Sequence, residues 1–183
     1  MERPLPKPSD AAYVEARLLE ALVEAGLALE FLKRGLTRNA AGKAFQAWKA
    51  LLAALLRLEL ERLKAAVGAE EEKKWLEFTA VPRVPTTKMK TLAHLLEDVG
   101  HAGVVHATST ALMLHEYQYH GPDPDMALSK YTTRREAAAD VKRLAAEVAR
   151  RAEALKTRVK WTEELEKALE EVKKAVEEPP SAT

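Results

Sequence analysis

Apolar residues dominate the middle of the N-terminal half. Between Ala44 and Leu60 the only polar residues are Gln46, Lys49, Arg57 and Glu59. The surrounding stretch, 38–67, has no proline, and Gly42 is its only glycine. Phe45, Trp48, Leu52, Leu55 and Leu56 recur at steps of 3 and 4 residues, which is helical and not strand spacing. Leu51, Leu58 and several alanines widen the stripe beyond one face. A helix apolar nearly all round needs neighbours on several sides, so 38–67 is read as the centre of a bundle. As one helix it would be about 45 Å long.

The rest of the chain is read around that stretch. Val14, Leu18, Leu22, Ala25, Leu29 and Leu32 form a helical core face, opened by Ser9 or Asp10 as N-cap and closed by Gly35. The short connection 35–39 predicts an antiparallel hairpin, with Thr37 or Asn39 capping the second helix. Gly68 ends the central helix, and 69–78 reads as a short helix with an acidic start. Pro82 and Pro85 argue against helix interior over 80–85. A helix opens at Thr86 or Thr87, Gly100 and Gly103 bend or break it, and the segment 101–120 closes at Gly121 before the turn 121–125.

Thr133 and Glu136 have capping-box spacing. Behind them Ala137, Val141, Leu144, Val148, Ala152, Leu155 and Val159 make a near-heptad seam. The phase then slips to Trp161, Leu165, Leu169, Val172 and Val176, which predicts a break near Thr162, and Pro179 and Pro180 stop the last helix. No alternating strand-like run appears. The fold class is all-α, an up-and-down helical bundle with an extra C-terminal helix. The organisation is an extended lead-in over 1–9, a bundle over 10–160 and an acidic helix and tail over 161–183. Lys160–Thr162 is short for a reversal, so the tail is expected to extend onto a second subunit. A homodimer built on 133–178 follows.

Composition narrows the classes. At 183 residues, with 47% hydrophobic and 31% charged residues, the chain can bury a sizeable core and stay soluble. No apolar run approaches the roughly 20 residues of a membrane span. The start, MERPLPKPSD, lacks the apolar core of a secretory signal, so a cytoplasmic location is expected. Cysteine is absent, which removes disulfides, thiolate nucleophiles and thiolate metal ligands. A net charge of +1 gives no global pull toward nucleic acid. One asparagine (Asn39), two glutamines (Gln46, Gln118) and abundant Glu, Lys and Arg fit a thermophile.

Candidate chemistry concentrates in 94–120, which holds all five histidines. Glu97 and His101 are i,i+4 and could chelate one metal, with His94 on the same face. The HEXXH and paired Glu-x-x-His patterns are absent, so no metal and no cofactor are assigned. His115 and Tyr119 are also i,i+4 and could line a pocket and move protons. Against this, tyrosines at a helix end bury their rings and leave their hydroxyls wet. Residues 130–160 carry ten Lys or Arg against four acids, and 161–178 carry seven Glu against three Lys. The basic stretch could meet nucleic-acid phosphates, or be a solvated face balanced by the acidic tail helix.

Two stretches carry a resemblance. Ala41, Lys43, Ala44, Phe45, Ala47, Trp48, Lys49 and Ala50 in the second helix, and LHEYQYHG at 114–121, resemble the archaeal PaREP family, itself similar to HEPN helical domains. The likeness runs from about residue 11 to 157. It implies a HEPN-like bundle and dimerisation. Many HEPN ribonucleases carry Arg followed by His four to six residues later; here the nearest Arg before a His is Arg83, eleven residues ahead of His94. The resemblance therefore points away from RNA cleavage. The leading expectation is a non-catalytic homodimer that binds a protein partner or small ligand. The alternative is a nucleotide- or nucleic-acid-binding protein, or an enzyme, with a pocket of Lys43, His101, His115 and Tyr119.

Overall fold

The computed structural model describes residues 4–178. It is all-α, with no strand among the described residues. Helix α1 (Ala12–Lys33) and α2 (Thr37–Leu58) form the antiparallel hairpin. Gly35, at φ 71°, closes α1: its N–H donates to Leu32 O, and that of Leu36 to Phe31 O. This double bond pattern needs one left-handed residue just past the helix, which glycine adopts without steric cost.

Helix α2 is the hub, packed against α1, α7 (Val104–His120) and α8 (Arg134–Ala154). Phe45, Trp48, Leu51, Leu52, Leu55 and Leu56 are all 1% exposed or less. Each such side chain contributes about 1.5–3 kcal/mol of burial free energy. The expected single helix over 38–67 is divided: Glu59, at φ −97° and ψ 6°, separates α2 from α3 (Leu60–Ala66). The cause is tertiary, because Glu59 is held in the interior by His101 and Arg158, both distant in the chain.

Two expected caps, Ser9 or Asp10 on α1 and Thr37 or Asn39 on α2, are corrected. Asp10 accepts from the backbone of Lys7, and α1 begins without a side-chain cap. Thr37 lies inside α2 and accepts from Arg134 Nε, while Asn39 caps nothing. The segment 80–85 is also partly helical. Helix α4 (Glu70–Trp75) widens into a π turn over Leu76–Ala80 and continues as the single turn α5 (Val81–Arg83). Proline has no N–H for an α ladder, and a widened turn lets the chain pass it. The turn's open carbonyls are met from α1: Tyr13 Oη donates to Val81 O at 2.9 Å, and Arg17 donates to Pro82 O at 2.9 Å. Val84, at φ 41°, then ends the helix.

Gly100 and Gly103, at φ 106° and 79°, separate α6 (Met89–Asp98) from α7. Thr133 and Glu136 form the expected capping box on α8. Thr162 caps α9 (Glu163–Glu177) by accepting from Leu165 N. The expected extension of the tail onto a second subunit is overturned. Helix α8 ends at Ala154, which leaves residues 155–162 for the reversal, and α9 folds back onto α1 and α8 of its own chain. Leu165, Leu169 and Val172 are each 1% exposed. The helix-stopping role of Pro179 and Pro180 lies outside the described residues. Among the described residues no helix is long and apolar enough to cross a membrane.

Candidate functional site

The N-terminal turns of α2 place Asn39, Gly42, Lys43 and Gln46 at i, i+3, i+4 and i+7, one stripe along the helix. The last turn of α7 brings Gln118 and Tyr119 against that stripe, and Phe31 of α1 completes a groove of about 580 Å³. Arg38 ties the two helices: its Nε donates to Gln118 O at 2.9 Å and a terminal nitrogen to Tyr119 O at 2.5 Å. These are end carbonyls of α7, which carry partial negative charge and lack helical partners. The Gln118 side chain lies over the bare backbone of Gly42. A Cβ there would stand 2.5 Å from Gln118 Oε1.

Lys43 lines this groove, but its charge is committed. Its Nζ lies 2.9 Å from Glu24 Oε2 and 3.1 Å from Oε1, with hydrogen-bond geometry only toward Oε1. His115 sits beside the groove. Its ring stacks on Phe45 with centroids 4.2 Å apart and meets Tyr119 edge-on at 5.3 Å. Gln118 Nε2 and His115 Nδ1 are 2.6 Å apart, so Nδ1 accepts and the proton of the neutral ring is on Nε2. Burial, with the charge of Lys49 adding to it, pushes the His115 pKa below its ordinary value.

His101 belongs elsewhere. It precedes α7, whose first residue, Val104, is about 16 Å along the helix axis from His115. Its Nε2 donates to Glu59 Oε1 at 3.0 Å. Arg158 lies 2.7 Å from the same oxygen, and Arg62 lies 3.0 Å from Oε2. Burial alone pushes the Glu59 carboxyl up, but hydrogen bonds from His101, Arg158 and Arg62 outweigh it and hold the pKa at about 2. The expected four-residue pocket is thus divided: Lys43, His115 and Tyr119 gather at one end of α7, and His101 stands at the other.

The Glu97–His101 chelate is not formed either. Glu97 accepts from the N–H groups of Gly103 and Val105 and caps α7, while His94 is exposed. No cluster with metal-ligand geometry occurs among the described residues. In the basic stretch, Lys156 pairs with Glu166, Lys173 of α9 pairs with Glu153, and Arg150 and Arg151 share Glu147. Arg151 is 7% exposed, donates to Ala102 O and lies over the Trp48 ring.

Sequence reasoning missed Phe31, Arg38, Asn39, Gly42, Gln46 and Gln118 as groove residues. One signal was present: Asn39, Gln46 and Gln118 are the chain's only side-chain amides, and all three line the same groove.

Residues 16–142 match the archaeal PaREP1/PaREP8 family, well over half of the chain. No curated protein and no solved structure matches it.

Proposed function

The chain belongs to the archaeal PaREP1/PaREP8 family, and from that premise we propose that it is a non-catalytic, HEPN-like binding protein acting as a homodimer in the cytoplasm. The observation that carries this reading is the commitment of its reactive groups. Lys43 is paired with Glu24, His101 with Glu59, and Glu97 is spent on a helix cap. The His115 ring is stacked on Phe45 and held by Gln118. A general base needs a free lone pair within reach of substrate and a pKa near the working pH. His115 has its Nδ1 lone pair engaged and its pKa lowered. The groups that remain at the groove bind rather than react.

Large exposed apolar side chains support association: Phe78 is 70% exposed, Leu128 63% and Tyr119 62%. The two-fold pair is the commonest closed arrangement of soluble homo-oligomers. Native mass spectrometry of the purified chain, paired with light scattering at tens of micromolar, tests the reading. Twice the chain mass, with or without a retained small molecule, is expected; a monomer removes the dimer. Scarce amides and abundant ion pairs support a thermophilic source. A melting temperature below about 60 °C would count against that.

A further inference from the structure

Residues 76–84 gather costly backbone in one place. The π turn over Leu76–Ala80 runs directly into the helical turn that contains Pro82, and Val84 ends it at φ 41°. π turns are rare and recur at functional sites, and a β-branched residue seldom takes a left-handed conformation. The segment is fixed all the same, because buried Tyr13 and partly buried Arg17 bond its carbonyls. Backbone of this kind persists where it positions something. Here it holds the Phe78 ring 70% exposed, while Leu76 and Ala80 on either side are buried.

A single exposed ring means little by itself. This one lines a pocket of about 510 Å³. Leu60, Val81, Pro8 and Pro82 give the pocket apolar walls, and Leu60 and Val81 belong to the core. Arg57 of α2 ties the lead-in to it, since its Nε donates to Pro8 O at 2.5 Å. That bond fixes the guanidinium, whose two terminal nitrogens have no partner among the described residues. Arg83 and Lys7 line the same pocket, and both side chains are exposed and unpaired among the described residues. Two acids line it as well. Lys64 holds both, at 2.8 Å from Glu77 and 3.7 Å from Glu61.

These groups narrow the chemistry of a ligand. A fixed guanidinium fork matches the two oxygens of a carboxylate. The carboxylates of Glu61 and Glu77 repel a second negative charge, which favours a monoanion over a phosphate. Apolar walls and an exposed ring favour a flat apolar body, because aromatic rings pair in offset or edge-on contact.

We propose that the pocket between α2, α3, the 76–83 turn and the lead-in binds a small aromatic monocarboxylate. Arg57 takes the carboxylate in its fork, Arg83 adds positive charge, and Phe78 meets the ring. This inference rests on the reading of the protein as a binding protein and gives that reading a ligand class.

Isothermal titration calorimetry of the full chain tests it. The probes are indole-3-acetate, its neutral analogue tryptophol, its cationic analogue tryptamine, and acetate. Saturable binding of indole-3-acetate is expected, about tenfold or more tighter than that of the other probes. Phe78→Ala and Arg83→Gln change exposed side chains, so each should leave melting unchanged and weaken binding about fivefold. Tryptophol or tryptamine binding as tightly as indole-3-acetate overturns the proposal. Affinity untouched by both substitutions does the same. If Phe78→Ala instead halves the mass in light scattering, the ring belongs to the dimer and the pocket proposal falls. No calorimetric binding of any probe, alongside a small molecule retained in native mass spectrometry, sinks this pocket and spares the binding reading.

Discussion

Trp48 Nε1 donates to Thr108 Oγ1 at 2.9 Å across the α2–α7 interface, and both side chains are fully buried. The bond lets the largest core side chain sit at the centre of the bundle without an orphaned donor. Thr108→Val keeps the shape and removes the acceptor, and should cost about 1–3 kcal/mol as the desolvation penalty of the indole N–H. Trp48→Ala should cost about 3–5 kcal/mol for the truncated aromatic. In a double-mutant cycle, Trp48→Phe with Thr108→Val should cost less than the sum of the two single changes. Urea denaturation of the four proteins measures this, and strict additivity would mean the bond is energetically idle.

Glu59 makes a distinct pH signature. Its folded pKa, about 2, is below the ordinary 4.5, so its contribution is complete above pH 4.5 and is lost as pH falls toward 2. Glu59→Gln should flatten this part of the stability profile. At neutral pH it should cost about 1–3 kcal/mol, because Arg62 and Arg158 are 61% and 43% exposed and return to water once unpaired.

His115 acts in a higher window. Its pKa is lowered from 6.5, so the unfolded chain takes up a proton first as pH falls. Its contribution is complete above pH 6.5 and declines below it, through the lowered folded value. His115→Phe retains a ring against Phe45 and should show a flatter free energy of unfolding between pH 7.5 and 5.5. An unchanged slope would mean the ring is protonated in the folded bundle.

Removing the tail should reveal its role within one chain. A protein ending at Lys160 loses Leu165, Leu169 and Val172 from the core and uncovers parts of α1 and α8. Burial of that size is worth several kcal/mol, so the truncated protein should melt well below the full chain and aggregate on warming. Unchanged melting accompanied by a dimer-to-monomer shift in light scattering would return the tail to an intersubunit role.

Much of the fold was written locally. Helix existence, the Gly35 reversal, the Thr133–Glu136 cap and the dominance of α2 follow from periodicity, glycine conformation and short-range hydrogen bonds, which depend on residues a few positions apart. What tertiary structure alone decided depends on partners distant in the chain. Glu59 divides the central helix because His101 and Arg158 reach it from 42 residues and further away. Tyr13 and Arg17 accommodate the helical turn through Pro82 from more than 60 residues away. The tail's direction depended on where α8 ends, since the hydrogen-bonded turns beyond Ala154 supply the reversal that Lys160–Thr162 alone could not. The groove shows the same division. The sequence fully determined the rarity of Asn39, Gln46 and Gln118, but rarity has no position in space. Only the crossing of α2 and α7, which lays the Gln118 side chain over Gly42, put the three amides in one place.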